Sequence, residues 1–519
     1  MIVLNIIAIS LYTLVIIKLL YYLTNIYQQN HYDYKKTLLS LKKYYLTKKT
    51  FFCYLISIPF GVIGINNTNL PLICMSIIIL TISFIFQIKY IIKLKFTSRM
   101  IRLWITSILF ITIIGIISIY INSIIYILIP LYLPIIVFLA SLVNLPIEHI
   151  INNYYYKLAK QKLQSFDDLV KIGITGSFGK TSTKDILYQI ISRKYLTLKT
   201  PKSYNTLMGI SRTINSDLNK PMELFIVEMG TFRIGEISKL SKFVKPNIAI
   251  ITQIGPQHLS TLKTEANVLK AKLEIVDGLK ENGTLILNTD NEYLNNVKDH
   301  LSNTYNVLTY GIDRGTYHAE NITYKVDKTI FDIYKDDMFL FQASTSLLGK
   351  HQISNILASY VTTIALKEYN IIIDDLEFKK SIEAILPSEH RLSYQKINKL
   401  HIYDDSYSSN IIGFKNALDV LKRQKGYLCL ITPGIVDAGE GEKELNETIA
   451  KELNNINEIC LIKNHASTYI ASYLNNNNIN YLLFDNFKEA YKYIFKISLE
   501  KEVYLLIEND LPDSFLERW

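Results

Sequence analysis

The stretch VKIGITGSFGKTSTKDILYQII, which begins at Val170, joins a short apolar strand, a glycine-rich turn and an amphipathic helix. A phosphate-binding loop requires this context, because glycines let backbone N–H groups approach phosphates and a helix N-terminus attracts negative charge. In this interpretation Lys180 supplies charge to the terminal phosphates and Thr181 offers a hydroxyl to Mg²⁺. Ile174 replaces the glycine of the strict spacing, and a glycine-rich turn that binds no nucleotide is the alternative. The predicted nucleotide-binding residues of the loop are Gly176, Ser177, Gly179, Lys180, Thr181 and Ser182.

From about residue 165 onwards, short apolar strands alternate with helical stretches, which predicts an α/β fold with parallel sheets and crossover helices. We expect a central domain like that of P-loop ATPases at about 165–385 and a C-terminal domain at about 386–519. In the second of these, the segments YLCLIT, EICLIK and VYLLIE predict the buried strands of a Rossmann-like sheet. The turn TPGIVDAGEGEKELN lacks the spacing of a dinucleotide-binding loop, so we interpret it as a plain loop.

The mean hydropathy of this 519-residue chain is +0.17, and the first 150 residues contribute most of its apolar character. Most of their apolar runs approach the roughly 20 residues that a membrane-spanning helix needs. The sequence therefore predicts a transmembrane domain of about five spans over residues 1–150. For the shortest run, 51–65, a re-entrant or interfacial helix is the alternative. The five runs lie at about 2–24, 51–65, 70–91, 103–120 and 124–144.

Basic residues of this region cluster in two of the loops between the apolar runs. Loops rich in Lys and Arg stay on the cytoplasmic side of a membrane, so five crossings from an outside start deliver everything after residue 150 to the cytoplasm. The same clusters contribute to the net charge of +10, and we predict no nucleic-acid partner. The clustered residues are Lys35, Lys36, Lys42, Lys43, Lys48 and Lys49 in one loop and Lys93, Lys95, Arg99 and Arg102 in the other.

Further polar residues of the central domain follow buried strands, where parallel sheets place metal-binding and catalytic side chains. Glu228 ends the strand MELFIVEMG, His258 follows a buried strand and a turn, and Lys272 lies on the next helix. Taken singly, each has a structural alternative, because strand-end acids are usually solvated and a lone histidine is usually a hydrogen-bonded structural residue. Asn288 and Asp290 end the strand GTLILNTDN in the same way.

Eight segments in a fixed order resemble the Mur ligase family: TGSFGKTSTK, SYNTLMGI, VEMG, HL…AKLEI, LILNTD, GKHQISNILASY, EHRL and DDSYSSN. The likeness covers about residues 170–445, and DDSYSSNIIGFKNAL with AKLEI points to the bacterial member that adds D-alanyl-D-alanine. The resemblance implies a cell-wall precursor ligase that uses ATP to phosphorylate the carboxylate of UDP-MurNAc-tripeptide. The amine of D-Ala-D-Ala then attacks the acyl phosphate. Together with the apolar runs, it implies a location in the bacterial cytoplasmic membrane and contact with other cell-wall precursor enzymes.

The resemblance also assigns roles to single positions. It implies two Mg²⁺ ions, and it implies that Lys272 is carbamylated, since a carbamate presents the anionic oxygens that an amine lacks. The implied metal ligands are Thr181, Glu228, His258 and Lys272. The implied catalytic residues are Lys180, Lys272 and His258. Nucleotide contacts beyond the phosphate loop are implied for Asn355, Arg391, Asp404 and Asp405. Substrate contacts are implied for Asn205, Tyr407 and Asn410.

The chain departs from the family pattern most at its start, where apolar spans replace the soluble domain that grips the uridine nucleotide. Two rival functions stay open: a ligase of the same fold with another acceptor, such as poly-γ-glutamate or a lipid-linked peptide, and a non-catalytic membrane scaffold that binds ATP. A scaffold would be free to lose its metal ligands, so the intact set favours turnover. Smaller departures lie at Leu273, Glu389, His390, Ser408 and Ser409.

Overall fold

A computed structural model describes most of the chain, and its described residues fall into two compact units that meet in sequence at Tyr154 and Tyr155. Those of the first unit form helices, and those of the second form an α/β structure with two sheets. The described residues are 2–30, 32–34, 37–38, 48–66, 69–83, 93–121, 124–202, 204–255, 259–387, 390–406, 411–436 and 441–508.

The N-terminal unit has helices at all five predicted spans, although residues 84–91 of the third lie outside the described residues. Two helical stretches there are long and apolar enough to cross a membrane, Ser98–Ser118 and Ile129–Gln164. The fifth predicted span is divided between two helices, and the second of these continues past residue 150. The helices are α1 (Ile2–Gln29), α2 (Lys48–Asn66), α3 (Leu70–Ser83), α4 (Ser98–Tyr120), α5 (Ile124–Ile127) and α6 (Ile129–Gln164).

The larger sheet of the second unit contains nine strands. They are β1 (Val170–Thr175), β2 (Thr197–Lys199), β3 (Leu224–Glu228), β4 (Ile248–Ile251), β5 (Thr284–Asn288), β6 (Asn306–Tyr310), β7 (Tyr317–Tyr324), β8 (Thr329–Lys335) and β9 (Met338–Thr345). Their spatial order is β2-β3-β1-β4-β5-β6-β7-β8-β9. Strands β1 to β7 pair in parallel, and β7, β8 and β9 pair antiparallel.

Helices cover both faces of this sheet, and β3 shows why its sequence is a continuous apolar run. Leu224 and Ile226 belong to the hydrophobic cluster on one face, while Phe225 and Val227 belong to the cluster on the other. The helices are α7 (Lys180–Ile191), α8 (Leu207–Asp217), α9 (Glu236–Val244), α10 (Leu259–Leu262), α11 (Glu265–Leu273), α12 (Glu292–Ser302), α13 (Lys350–Leu366) and α14 (Asp375–Glu383), with 3₁₀ turns at Glu274–Gly278 and Lys367–Tyr369.

The smaller sheet has six strands, which are β10 (Ser393–Ile397), β11 (Leu400–Asp405), β12 (Tyr427–Thr432), β13 (Glu458–Ile462), β14 (Leu482–Phe484) and β15 (Val503–Glu508). Their order is β10-β11-β15-β12-β13-β14, and β10 is the antiparallel edge. The predicted strands YLCLIT, EICLIK and VYLLIE are found as β12, β13 and β15, so the predicted α/β fold with parallel sheets is confirmed. Its helices are α15 (Ile411–Lys422), α16 (Glu442–Lys451), α17 (His465–Asn476) and α18 (Phe487–Glu500).

Candidate active site

The carboxyl ends of β1, β3 and β11 meet at a cavity of about 430 Å³. Open parallel sheets place ligand sites at this edge. Gly176 and Asp404 do not line the cavity, and His258, Tyr407 and Asn410 lie outside the described residues, so their predicted roles stay predictions. Predicted site residues that do line it are Ser177, Gly179, Lys180, Thr181, Ser182, Asn205, Glu228, Lys272, Asn355, Arg391 and Asp405.

Two glycines of the phosphate loop are required by the close approach of neighbouring residues. A Cβ at Gly176 would lie 2.1 Å from Thr252 Oγ1, and one at Gly179 would lie 2.8 Å from Asn355 Oδ1. Gly179 also has φ = 82°, in the left-handed region that side chains disfavour. The loop between β1 and α7 therefore closes tightly enough to present its backbone to a ligand.

Ser177 shapes this loop through both its backbone and its side chain. Its N–H donates to Gln253 O at 2.6 Å. Its hydroxyl donates to Gly255 O at 3.1 Å and accepts from Gly255 N at 3.2 Å. These contacts hold the loop against the segment that follows β4, which is the fixed geometry that phosphate recognition by backbone amides needs.

The side chain of Lys180 lies over the loop that precedes it. Its Nζ donates to Gly176 O at 2.6 Å and to Ser177 O at 3.0 Å. Burial lowers the pKa of Lys180 to about 8, Glu228 opposes this shift and Arg391 adds to it. Among the described residues no carboxylate is hydrogen-bonded to this cation, which suits it to an incoming anion that supplies the counter-charge.

Glu228 is buried and hydrogen-bonded. It is only 1% exposed, so it is not a solvated acid at a strand end, which was the structural alternative. Its Oε2 accepts from Thr181 Oγ1 and from Lys184 Nζ, both at 3.0 Å, and its Oε1 accepts from Asn205 Nδ2 at 3.1 Å. Burial alone would raise the pKa of Glu228, but the charges of Lys184 and Lys180 and these hydrogen bonds outweigh it and leave the pKa lowered. The carboxylate is therefore anionic, as a metal ligand must be.

Lys272 is also 1% exposed, and its Nζ has no hydrogen-bond partner in the described part of the chain. Burial and the charge of Lys180 lower its pKa to about 7, against the opposing effect of Glu228. A buried amine that is readily neutral is the form that carbon dioxide can carbamylate, so the structure fits the implied modification. Carbamylated Lys272, with the Thr181 hydroxyl and Glu228 carboxylate, would supply the oxygen ligands that Mg²⁺ prefers. Without this modification of Lys272, the described residues contain no group of three His, Cys, Asp or Glu side chains that could hold a metal.

The six-stranded sheet brings acidic side chains to its own carboxyl edge. Asp405 Oδ1 accepts from Leu392 N at 3.0 Å, and burial raises the pKa of Asp405 to about 7 although Arg391 opposes this. Glu508 pairs in register with Asp405 on the adjacent strand. Neither of its buried carboxylate oxygens has a hydrogen-bond partner among the described residues. Burial, with the nearby charges of Asp405 and Asp404, raises its pKa well above the ordinary value.

Two other acids that the sequence singled out have structural partners. Asp404 Oδ2 lies 2.6 Å from His390 Nδ1, and its Oδ1 accepts from Ser406 N at 3.0 Å. Asp290 accepts backbone hydrogen bonds from the turn that begins at Ile312. Asp290 therefore holds a turn, and it does not line the cavity.

Sequence reasoning missed four residues at or near the cavity: the buried Lys184, Gln352 and Glu508 and the half-buried His351. Gln352 Oε1 accepts from Asn355 Nδ2 at 3.2 Å. Burial and Arg391 lower the pKa of His351 to about 4, so this histidine is neutral. The spacing of Lys184 four residues after Lys180 was an available signal, because residues at this interval share a helix face.

Comparisons with known proteins agree with this arrangement. Residues 174–363 match the family model described as Mur ligase middle domain. The chain is 29% identical over 357 residues to the UDP-N-acetylmuramoyl-tripeptide–D-alanyl-D-alanine ligase of Buchnera aphidicola from Acyrthosiphon pisum, covering 67% of this chain and 75% of that one. It is 31% identical over 299 residues to the Bacillus subtilis protein of the same name, covering 57% of this chain and 62% of that one.

Solved structures show the same fold. MurF ligase from Thermotoga maritima in complex with ADP superposes with a TM-score of 0.61 at 24% identity, covering 69% of this chain and 80% of that one. MurF from Acinetobacter baumannii gives a TM-score of 0.62 at 20% identity, covering 69% of this chain and 77% of that one. The α/β part of this chain therefore belongs to the Mur ligase family, with its middle domain at residues 174–363.

Proposed function

We propose that this chain is an ATP-dependent ligase that joins D-alanyl-D-alanine to UDP-MurNAc-tripeptide in peptidoglycan precursor synthesis. The observation that carries the proposal is the convergence of Lys180, Glu228 and Lys272 in one cavity, with Arg391 reaching it from the region that precedes the second sheet. The named relatives are ligases of this kind, and one structural neighbour holds ADP.

Bound ATP supplies the phosphoryl group, and Mg²⁺ held by Thr181, Glu228 and carbamylated Lys272 would neutralise charge on the phosphates. A carboxylate oxygen of the tripeptide attacks the γ-phosphorus, and the bond from that phosphorus to ADP breaks. The amine of D-Ala-D-Ala then forms the C–N bond, the C–O bond to phosphate breaks, and the amine nitrogen loses a proton. Phosphoryl transfer depends on positioning and charge neutralisation.

The residues of this chain meet those two demands. Lys180 holds a positive charge where the terminal phosphates would lie, and the backbone from Gly176 to Gly179 shapes their cradle. Thr181 and Glu228 present oxygens beside it. Arg391 brings a second cation from the region that precedes the six-stranded sheet. Asp405, at the end of β11, lines the same cavity, so both sheets contribute to it.

The N-terminal unit supports a second part of the proposal, that the protein is embedded in the bacterial cytoplasmic membrane by several helices with its α/β domains in the cytoplasm. Two helical stretches have the required length and composition, and the basic residues flank the apolar runs. Single cysteines placed at residues 67 and 93 test this topology, after the native cysteines are replaced. A membrane-impermeant maleimide added to intact cells should label the first and spare the second, and the reverse pattern contradicts the proposal.

Phosphate release by the detergent-solubilised protein tests the reaction itself. With ATP, Mg²⁺ and UDP-MurNAc-tripeptide, we expect release that requires D-Ala-D-Ala and that Lys180→Ala abolishes. Release only with glutamate would transfer the assignment to a polyglutamate synthetase. No release with any acceptor, including lipid-linked peptides, would contradict enzymatic turnover and favour an ATP-binding scaffold.

A further inference from the structure

Lys184 lies on α7 one helical turn after Lys180, and the reaction scheme gives it no role. Its side chain is 1% exposed, and its Nζ donates to Glu228 Oε2 at 3.0 Å. The same Nζ donates to the backbone oxygen of Lys202 at 2.5 Å. A buried lysine is costly unless its charge and its N–H groups are satisfied, so its burial at this position calls for a specific partner set.

Lys202 belongs to the loop that follows β2 and carries Asn205 into the cavity; the name 200–205 loop refers to its described residues, 200–202 and 204–205. Both ends of this loop are tied to β3 and the residues after it. Thr200 N donates to Ile226 O at 3.0 Å, and Gly230 N donates to Asn205 O at 2.9 Å. The hydrogen bond from Lys184, on α7, to the backbone oxygen of Lys202 adds a third attachment, in the middle of the loop.

Glu228 joins these two parts of the site. Lys184 and Thr181 reach its Oε2 from α7, and Asn205 reaches its Oε1 from the 200–205 loop. The other lysines do not share this role: Lys180 Nζ donates to its own loop, and no described residue accepts from Lys272 Nζ. Among the three, Lys184 alone hydrogen-bonds the carboxylate and the 200–205 loop together.

We propose that Lys184 is a positioning residue, which fixes Glu228 and the 200–205 loop in one arrangement so that Asn205 meets the carboxylate-bearing substrate. The inference rests on the proposed function, since it concerns the substrate side of the same cavity. Lys184 does not line that cavity, so its effect on the reaction passes through Glu228 and Asn205.

Lys184→Met in the full-length, detergent-solubilised protein tests this role. Loss of a charged hydrogen bond should raise the KM for UDP-MurNAc-tripeptide about tenfold and lower kcat. The Kd for ATP measured by calorimetry without Mg²⁺ should stay within about twofold of wild type, because Lys184 makes none of the phosphate-loop contacts. Lys184→Arg keeps the charge, and we expect it to recover part of the loss.

Lys194→Met is the matched control. Lys194 also pairs with a glutamate, Glu377, at 2.8 Å, but its side chain is 44% exposed and lies away from the cavity. This variant should keep wild-type kinetics. An unchanged KM in Lys184→Met would overturn the inference, and so would an equal loss of ATP and tripeptide binding, which would mark a residue that only supports the fold.

Hydrogen exchange gives a readout that does not depend on which substrate is correct. In Lys184→Met the amides of residues 200, 202 and 204–206 should exchange faster, while those of 176–181 stay unchanged, and Lys194→Met should alter neither. Unchanged exchange at 200, 202 and 204–206 overturns the inference. Absence of activity in the wild-type protein would instead contradict the proposed function.

Discussion

Two buried glutamates end parallel strands in the two sheets, yet their surroundings drive their pKa values in opposite directions. Glu228, at the end of β3, accepts hydrogen bonds from three side chains and has a lowered pKa. Glu508, at the end of β15, finds no partner for either oxygen in the part of the chain that the structure describes, and its pKa is raised well above its ordinary value. Both are 1% exposed, so burial is common to them and the partners make the difference.

The difference extends to the edges on which these residues lie. The edge of the nine-stranded sheet gathers Lys180, Lys184 and Lys272 around one carboxylate, which suits it to anionic ligands. The edge of the six-stranded sheet places Asp405 beside Glu508. The same topological rule thus selects where a site forms, whereas the local charges decide what the site can bind.

Glu228→Gln should have the largest effect, because it removes the anion that partners Lys184 and leaves that lysine buried without a counter-charge. We expect phosphate release to fall by at least about 100-fold, as when a preorganised charge is removed from an active site. The comparison predicts the opposite for Glu508→Gln, which should keep its activity. Thermal unfolding of both variants shows whether either loss reflects misfolding, and equal activity in the two would break the comparison.

Lys272→Ala should lower kcat by about 100-fold by removing the amine that carries the implied carbamate. Since the pKa of Lys272 is about 7, the reactive neutral amine predominates above pH 7 and declines below it. Wild-type protein depleted of carbon dioxide should therefore regain activity faster at pH 8 than at pH 6 when the concentration of dissolved carbon dioxide is held equal at the two pH values. Carbonyl-¹³C NMR with labelled bicarbonate should show a carbamate signal that Lys272→Ala lacks, and a signal that persists in this variant would contradict the assignment.

Arg391→Ala should weaken nucleotide binding by about tenfold, the cost of one charged hydrogen bond. This substitution removes the cation that lies near Asp405 and also raises the pKa of Lys180, since Arg391 lowers it. Calorimetric titration with ATP measures the loss. Arg423→Ala, which removes a surface pair with Asp419 instead, is the control, and equal affinity in both variants would contradict the role of Arg391.

Glu508→Gln should have the smallest effect, on stability. The pKa of Glu508 in the folded state lies above the ordinary glutamate value of 4.5, so the folded state holds this proton more tightly and loses stability as pH rises above about 4.5. The glutamine variant lacks that loss. Its unfolding temperature should therefore exceed that of wild type by more at pH 7 than at pH 5, and a difference independent of pH would show that Glu508 has an ordinary pKa.

Local pattern was sufficient to predict the phosphate loop, because strand, turn and helix there are consecutive in the chain. The short strand predicted to begin at Val170 runs to Thr175, and the helix after the loop begins at Lys180. The long apolar runs also located the helices of the first 150 residues, but not the continuous helix from Ile129 to Gln164, whose second half is more polar.

The amino-acid sequence by itself determined the α/β pattern, the glycine-rich loop and the family, since each depends on residues close together in the chain or in a fixed order. Only the tertiary structure decided which charges become partners. Lys184 and Glu228 are 44 residues apart, and Asp405 meets Glu508 across a strand pair. Burial and hydrogen bonding between such distant residues set their pKa values, and no local pattern encodes them.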